Sequence, residues 1–79
     1  MLNGDGELLT ALRHAAKADR LDPENPLVLE TIGSINLKLG DAETAARFLE
    51  RAWARALKRA PEVQIAIMDQ LVRAWIGAQ

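Results

Sequence analysis

The amino-acid sequence predicts an all-α fold of four helices in one small domain. Alanine and leucine are strong helix formers, and 14 alanines with 12 leucines supply 26 of the 79 residues. Most of the 5 glycines and 3 prolines occur in a few clusters, and such clusters mark the turns between helices. The predicted turns are Gly4-Asp5-Gly6, Asp22-Pro23-Glu24-Asn25-Pro26, Gly40-Asp41 and Ala60-Pro61-Glu62.

The first two helices are predicted at about residues 7–21 and 26–39. The first is amphipathic, with Leu8 and Leu12 on its apolar face. The second begins with Asn25 as N-cap, and its Pro26 lies in the first turn, where a backbone N–H is not needed. It ends before Gly40, because glycine commonly terminates helices.

The third and fourth helices are predicted at about residues 42–59 and 62–76. Asp41 is the expected N-cap of the third helix, and Pro61 ends it. The fourth helix is apolar around most of its circumference, which exceeds what one neighbouring helix can bury. We therefore expect part of it to form an oligomer or terminal-helix interface. The expected interface residues are Ile65, Met68, Val72, Trp75 and Ile76.

Composition excludes several classes of protein. A chain of 79 residues supports one core, and the absence of cysteine rules out disulfides, thiolate metal sites and a catalytic cysteine. The formal charge of −1 and the pI near 5.7 differ from those of typical nucleic-acid binders. We expect no membrane span, because no apolar run approaches about 20 residues, and no signal peptide, because residues 1–7 are polar and glycine-rich. The expected location is the cytoplasm.

The sequence repeats itself at an offset of 34 residues. Shifted by this distance, residues 6–18 match residues 40–52 at seven identical or conservatively replaced positions. The matched pairs are Gly6 with Gly40, Glu7 with Asp41, Thr10 with Thr44, Ala11 with Ala45, Arg13 with Arg47, Lys17 with Arg51, and Ala18 with Ala52. A period of about 34 residues built from a helix pair is typical of one class of helical solenoid.

The stretch from Pro23 to Ala52 resembles the tetratricopeptide repeat (TPR). The resemblance lies in Asp22-Pro23-Glu24-Asn25, Leu29, Ile32-Gly33, Asn36, Gly40-Asp41, Ala45, Leu49 and Ala52. It implies an α-α superhelix of antiparallel helix pairs, with Gly33 and Ala45 allowing close approach of helices two and three. Residues 7–25 then resemble the second helix of a preceding repeat. The pattern is lost beyond Pro61, so the last helix is a degenerate first helix or a cap, and Asn36 stands where the family usually has an aromatic residue.

The resemblance also implies a function. First helices of such repeats line a concave groove that binds a peptide or a partner helix, so we expect a protein-interaction scaffold or adaptor with a protein or peptide partner. The groove residues implied by the resemblance are Leu27, Glu30, Ser34, Leu37 and Lys38. The alternative is a structural segment that self-associates, as a homodimer for example, or belongs to a longer solenoid.

Catalysis and cofactor binding are not expected. His14 is the only histidine, and without a second histidine, a cysteine or a tight carboxylate cluster it cannot complete a zinc site. A serine or threonine nucleophile would also need a base and an orienting group, which the sequence does not supply together. We expect His14 to be a solvated surface residue.

An arginine stripe runs along the third helix, comprising Arg47, Arg51, Arg55, and Lys58 or Arg59. We expect it to be a solvated outer face, with Arg47 and Arg51 near Glu43 and Glu50. Binding of RNA or an anionic membrane surface through the stripe is a second alternative. No aromatic residues interleave with these bases on the same face, which disfavours nucleic-acid binding.

Overall fold

A computed structural model describes residues 3–78, and within this range the chain forms four α-helices and no strand. The helices are α1 (Asn3–Leu21), α2 (Pro26–Leu39), α3 (Ala42–Arg59) and α4 (Gln64–Gly77), with a single 3₁₀ turn at Pro61–Val63 before α4. The predicted all-α fold class and the four helices are confirmed.

The first helix begins earlier than predicted. It starts at Asn3, so the segment Gly4-Asp5-Gly6, which we expected to be a turn, is helical. Glycine within a helix costs only about 0.5–1 kcal/mol relative to alanine and does not by itself end one. The hydroxyl of Thr10 donates to the Gly6 carbonyl at 3.0 Å, within the helix. At the other end of the chain, α4 starts two residues later than predicted because the 3₁₀ turn precedes it.

The ends of α2 and α3 carry the caps that the sequence predicted. The Asn25 side chain accepts from the Leu27 N–H at 2.9 Å, and the Asp41 carboxylate accepts from the Thr44 N–H at 3.2 Å. Gly40 has φ of 89°, the left-handed conformation that ends a helix and that glycine adopts without steric cost. These caps fix the short connection between α2 and α3.

The largest core cluster joins α2, α3 and α4. Leu29, Leu49 and Ile67, one from each helix, are fully buried in it. A β-carbon placed on Gly33 would lie 2.6 Å from Leu49 Cγ and 3.3 Å from the Ala45 carbonyl oxygen. The close approach expected at Gly33 and Ala45 is therefore confirmed, and only glycine leaves room for Leu49.

A second core cluster holds α1 against α2. Ala15 of α1 is buried with Ile32 and Ile35 of α2, and Phe48 of α3 packs against this cluster. Asn36 is buried beside it and donates its side-chain amide to the Ile32 carbonyl at 2.9 Å. The amide is thus satisfied within its own helix.

Candidate interaction surface

The last two helices share an apolar surface that no other part of residues 3–78 covers. Ile65 is 84% exposed, and Val72, Trp75 and Ile76 are also exposed, while Met68 is partly buried. These residues recur at intervals of three or four and so lie along one side of α4. We call this surface the α3–α4 face. Its members are Trp53 and Leu57 of α3 with Ile65, Met68, Val72, Trp75 and Ile76 of α4.

A cleft of about 350 Å³ opens on the α3–α4 face. It is lined by Trp53, Pro61, Gln64, Ile65 and Met68. The side-chain nitrogen of Gln64 is buried and has no acceptor among the described residues. Because this nitrogen is buried, it is closed to an external partner, and the apolar side chains around it make the cleft suited to an apolar group.

The two tryptophans differ in environment. Trp53 is partly buried and packs against the core cluster. Trp75 is exposed, and its indole Nε1–H donates to the Glu50 carboxylate at 3.1 Å. This hydrogen bond holds the polar edge of Trp75 at the border between α3 and α4, as is common for tryptophans at interfaces.

Sequence reasoning missed the contribution of α3 and the turn to this surface. Leu57 and Pro61 continue the line of Trp53 at intervals of four residues, and Gln64 supplies the polar group of the cleft. The regular spacing of Trp53, Leu57 and Pro61 was the available signal. This spacing could be assigned to a surface shared with α4 only once the structure showed that α4 packs against that side of α3.

The predicted groove residues on α2 do not form a comparable surface. Leu27 and Lys38 are exposed and Ser34 is partly buried. Leu37, however, packs against the core cluster, and the Glu30 carboxylate accepts a hydrogen bond from the Gln70 side chain of α4. These contacts leave a polar, interrupted strip on α2.

Three members of the arginine stripe, Arg51, Arg55 and Arg59, are paired inside the molecule. Arg51 and Arg55 both bond to the Glu24 carboxylate, with Arg55 Nε at 2.8 Å, and Arg59 bonds to Asp22 at 3.2 Å. Arg51 thus bonds to Glu24 and not to the expected Glu50. The turn before α2 brings two carboxylates to α3, and Glu24 adopts the left-handed conformation with φ of 64°.

These ion pairs change the acidity of the turn. Hydrogen bonds from Arg51 and Arg55 lower the pKa of the Glu24 carboxyl below its ordinary value of 4.5. Hydrogen bonds from Arg59 and Asn25 likewise lower the pKa of Asp22 below 3.8. The arginines therefore act first as internal counter-ions, which leaves less positive charge for an external anion.

The remaining candidate chemistry is sparse in the described part of the chain. His14 is exposed, as predicted. Residues 3–78 contain no group of three or more histidine, aspartate or glutamate side chains placed to hold a metal ion. None of the described helices combines the length and the apolarity needed to cross a bilayer.

Comparisons with known proteins add no assignment. No family model, curated protein or solved structure matches this chain. The function therefore has to be argued from the surface itself.

Proposed function

We propose that this chain is a protein-interaction module that binds a helix or peptide on the α3–α4 face and performs no catalysis. The observation that carries the proposal is the exposed line of large apolar side chains next to the cleft. Each such side chain gains roughly 1.5–3 kcal/mol when it is fully buried. A contiguous exposed apolar surface of this kind marks an interaction site.

The shape of the face favours a helical partner. From Ile65 to Ile76 the apolar line extends about 16 Å along α4, which corresponds to three turns of helix. A partner helix can place side chains spaced by three or four residues along such a line. One of them would enter the cleft between Trp53 and Met68.

The family resemblance supports the same class of function. We propose that the helices form a TPR-like superhelix of antiparallel pairs, supported by the 34-residue offset and by the close contact of Gly33 with Leu49. Under this proposal the α2 strip, with Leu27 and Lys38 exposed, is a second and weaker binding surface. Its interruption by the Glu30–Gln70 bond is the reason we place the main partner on the α3–α4 face.

Binding of RNA or an anionic surface is less well supported. Three of the side chains it would use, Arg51, Arg55 and Arg59, already pair with Glu24 and Asp22. An external phosphate would have to compete with these carboxylates, which are covalently connected to the same chain. Such binding would also be lost at moderate salt, whereas apolar binding would persist.

A selection of helical peptides tests the proposal. A displayed library of amphipathic helical peptides is selected on the purified chain, and the enriched peptides are titrated against Ile65→Asp and Lys38→Glu. Ile65 and Lys38 are both exposed, so both variants should fold. We expect peptides whose binding is lost in Ile65→Asp and kept in Lys38→Glu. The reverse result would move the site to α2, and no enrichment would contradict the proposed function.

A further inference from the structure

The exposed side of α4 is an apolar line with a charged border. The apolar line consists of Ile65, Val72 and Ile76, which are all exposed. Asp69 and Arg73 lie beside this line, and they are the only charged residues in Gln64–Gly77. Their side chains are 63% and 72% exposed, and they pair with each other at 3.3 Å within the helix. The border thus carries one charge of each sign, and both charges are accessible to a partner.

The other border of the apolar line is formed together with α3 and is mainly apolar. Met68 lies with Trp53 of α3 in the cleft, and Leu57 of α3 is exposed next to it. Since a helix has 3.6 residues per turn, Asp69 and Arg73 point away from this border. The α3–α4 face therefore has one charged border and one apolar border.

The charged border and the apolar line share one centre. Ile65 and Ile76 are equally far from a point between residues 70 and 71, and Asp69 and Arg73 are equally far from residue 71. The two centres differ by about 0.8 Å along the helix axis, at the rise of 1.5 Å per residue. A two-fold axis through this centre, perpendicular to α4, places Ile65 opposite Ile76 of a second copy and Asp69 opposite Arg73 of that copy. The face is therefore complementary to itself.

Only an antiparallel pair of α4 helices makes use of this charge pattern. In such a pair the charged border of one copy faces the charged border of the other, so that two ion pairs form between the chains and fix their orientation. In a parallel pair the charged border would face the apolar border instead. Asp69 and Arg73 would then lie against Trp53 and Leu57, and charges buried against apolar groups without partners are unfavourable.

We propose that α4 of a second copy of this chain, running antiparallel, occupies the α3–α4 face. This inference rests on the proposed function and names its partner. Both copies use the same surface, so the association closes at a symmetric dimer. Burial of Ile65, Val72 and Ile76 stabilises the dimer, and the pairs between Asp69 and Arg73 select the antiparallel orientation.

Charge reversal on the charged border tests the arrangement. Asp69→Arg leaves two positive charges on the border, and Arg73→Asp leaves two negative charges. Lys17→Asp is the matched control, because Lys17 is exposed on α1 and its replacement changes the net charge as Arg73→Asp does. Circular dichroism checks that each variant folds. Sedimentation velocity from micromolar to millimolar concentration gives the dissociation constants, and native mass spectrometry distinguishes homodimers from heterodimers in mixtures.

We expect the wild-type chain and Lys17→Asp to dimerise with similar dissociation constants. Asp69→Arg and Arg73→Asp alone should each dimerise at least about tenfold more weakly, because like charges face each other across the axis. An equimolar mixture of these two variants should form the heterodimer with about the wild-type dissociation constant, since positive side chains then face negative ones. The double variant Asp69→Arg, Arg73→Asp should dimerise like the wild type, because the exchanged charges still pair.

Three results would overturn the inference. They are single variants that dimerise as strongly as the wild type, a mixture with no preference for the heterodimer, and a wild-type chain that stays monomeric at every concentration. Selected helical peptides whose binding is lost in Ile65→Asp would in each case leave the proposed function standing. Absence of such peptides together with a confirmed heterodimer would restrict the face to self-association and contradict binding of other helices.

Discussion

The helices α2 and α4 each carry a line of apolar residues, yet the line on α2 lies in the core and the line of the α3–α4 face on α4 lies in water. Leu29 of α2 is fully buried, whereas Ile65 of α4 is 84% exposed. The difference is the presence of α3, which packs against the α2 face, while nothing in residues 3–78 covers the α4 face. Burial here depends on the neighbour and not on the hydrophobicity of the residue. Changes at the contact between α2 and α3 should therefore alter stability, and changes on the α3–α4 face should alter association.

The largest effect on stability is expected at the centre of the contact between α2 and α3. Leu49→Ala removes a fully buried side chain that fills the space next to Gly33, and should lower the free energy of unfolding by about 2–5 kcal/mol. Urea denaturation followed by circular dichroism measures this loss. Leu57→Ala on the same helix is the control, because Leu57 is 59% exposed and its loss should stay within about 0.5 kcal/mol. Equal losses of unfolding free energy in the two variants would contradict the burial of Leu49 between α2 and α3.

The opposite change places a larger side chain in the same contact between α2 and α3. Gly33→Leu should destabilise the chain by about 1–3 kcal/mol, because even its β-carbon would overlap Leu49. Gly6→Ala is the matched control: a β-carbon at Gly6 meets nothing within 4 Å, and alanine is the better helix former, so this variant should be unchanged or more stable by up to about 1 kcal/mol. An unchanged melting temperature for Gly33→Leu would refute the pairing of α2 with α3.

A smaller effect is expected from the charged turn, which also links α2 to α3. The pKa of Glu24 is lower in the folded chain than in the unfolded chain, so the unfolded chain binds more protons as the pH falls. The stabilisation is complete above the ordinary value of 4.5 and is lost as the pH falls below it toward the folded pKa. Denaturation midpoints measured between neutral and acidic pH should show this decline.

The control for the charged turn removes its bases. In the double variant Arg51→Gln, Arg55→Gln the decline below pH 4.5 should be shallower, because Glu24 no longer has a charged partner. Added salt should flatten the wild-type curve as well, since exposed charges are screened. A double variant with the wild-type slope would show that the turn does not contribute through these pairs.

The smallest effect on stability is expected on the uncovered face. Ile65→Ser should change the free energy of unfolding by no more than about 0.5 kcal/mol at concentrations where the chain is monomeric, because Ile65 is largely solvated. Thermal melts at low concentration measure this. A loss as large as that of Leu49→Ala would show that the face is part of the core and remove the basis for the proposed function.

Most local features of the fold were predictable from the sequence, but the start of α1 was not. Asn25, Gly40 and Asp41 cap helices as expected, because a cap depends only on groups within a few residues. The prediction of a turn from Gly4 to Gly6 was wrong, because glycine weakens a helix without ending it. The helix α1 extends through this segment. Predictions from single residue types are weakest where the preference is small.

The candidate surface was predictable only in part. The excess of apolar residues on α4 indicated an interface, and Ile65, Val72 and Ile76 are exposed. The contribution of Trp53 and Leu57 required knowing which side of α3 meets α4. The predicted partner of Arg51 was wrong because a glutamate close in sequence was preferred, whereas the observed partner, Glu24, lies 27 residues before Arg51.

The sequence by itself determined the helices, their caps and the small residue at the crossing of α2 and α3. The helices and caps follow from backbone hydrogen bonds and steric limits that act over about four residues, whereas the glycine at the crossing was predicted from the repeat resemblance. Only the tertiary structure decided that the α2 face is covered and the α4 face is not, that the turn at Glu24 neutralises α3, and that Gln70 bonds to Glu30 across 40 residues. Such contacts depend on how the helices pack, because burial and ion pairing are set by distance in space and not by distance along the chain.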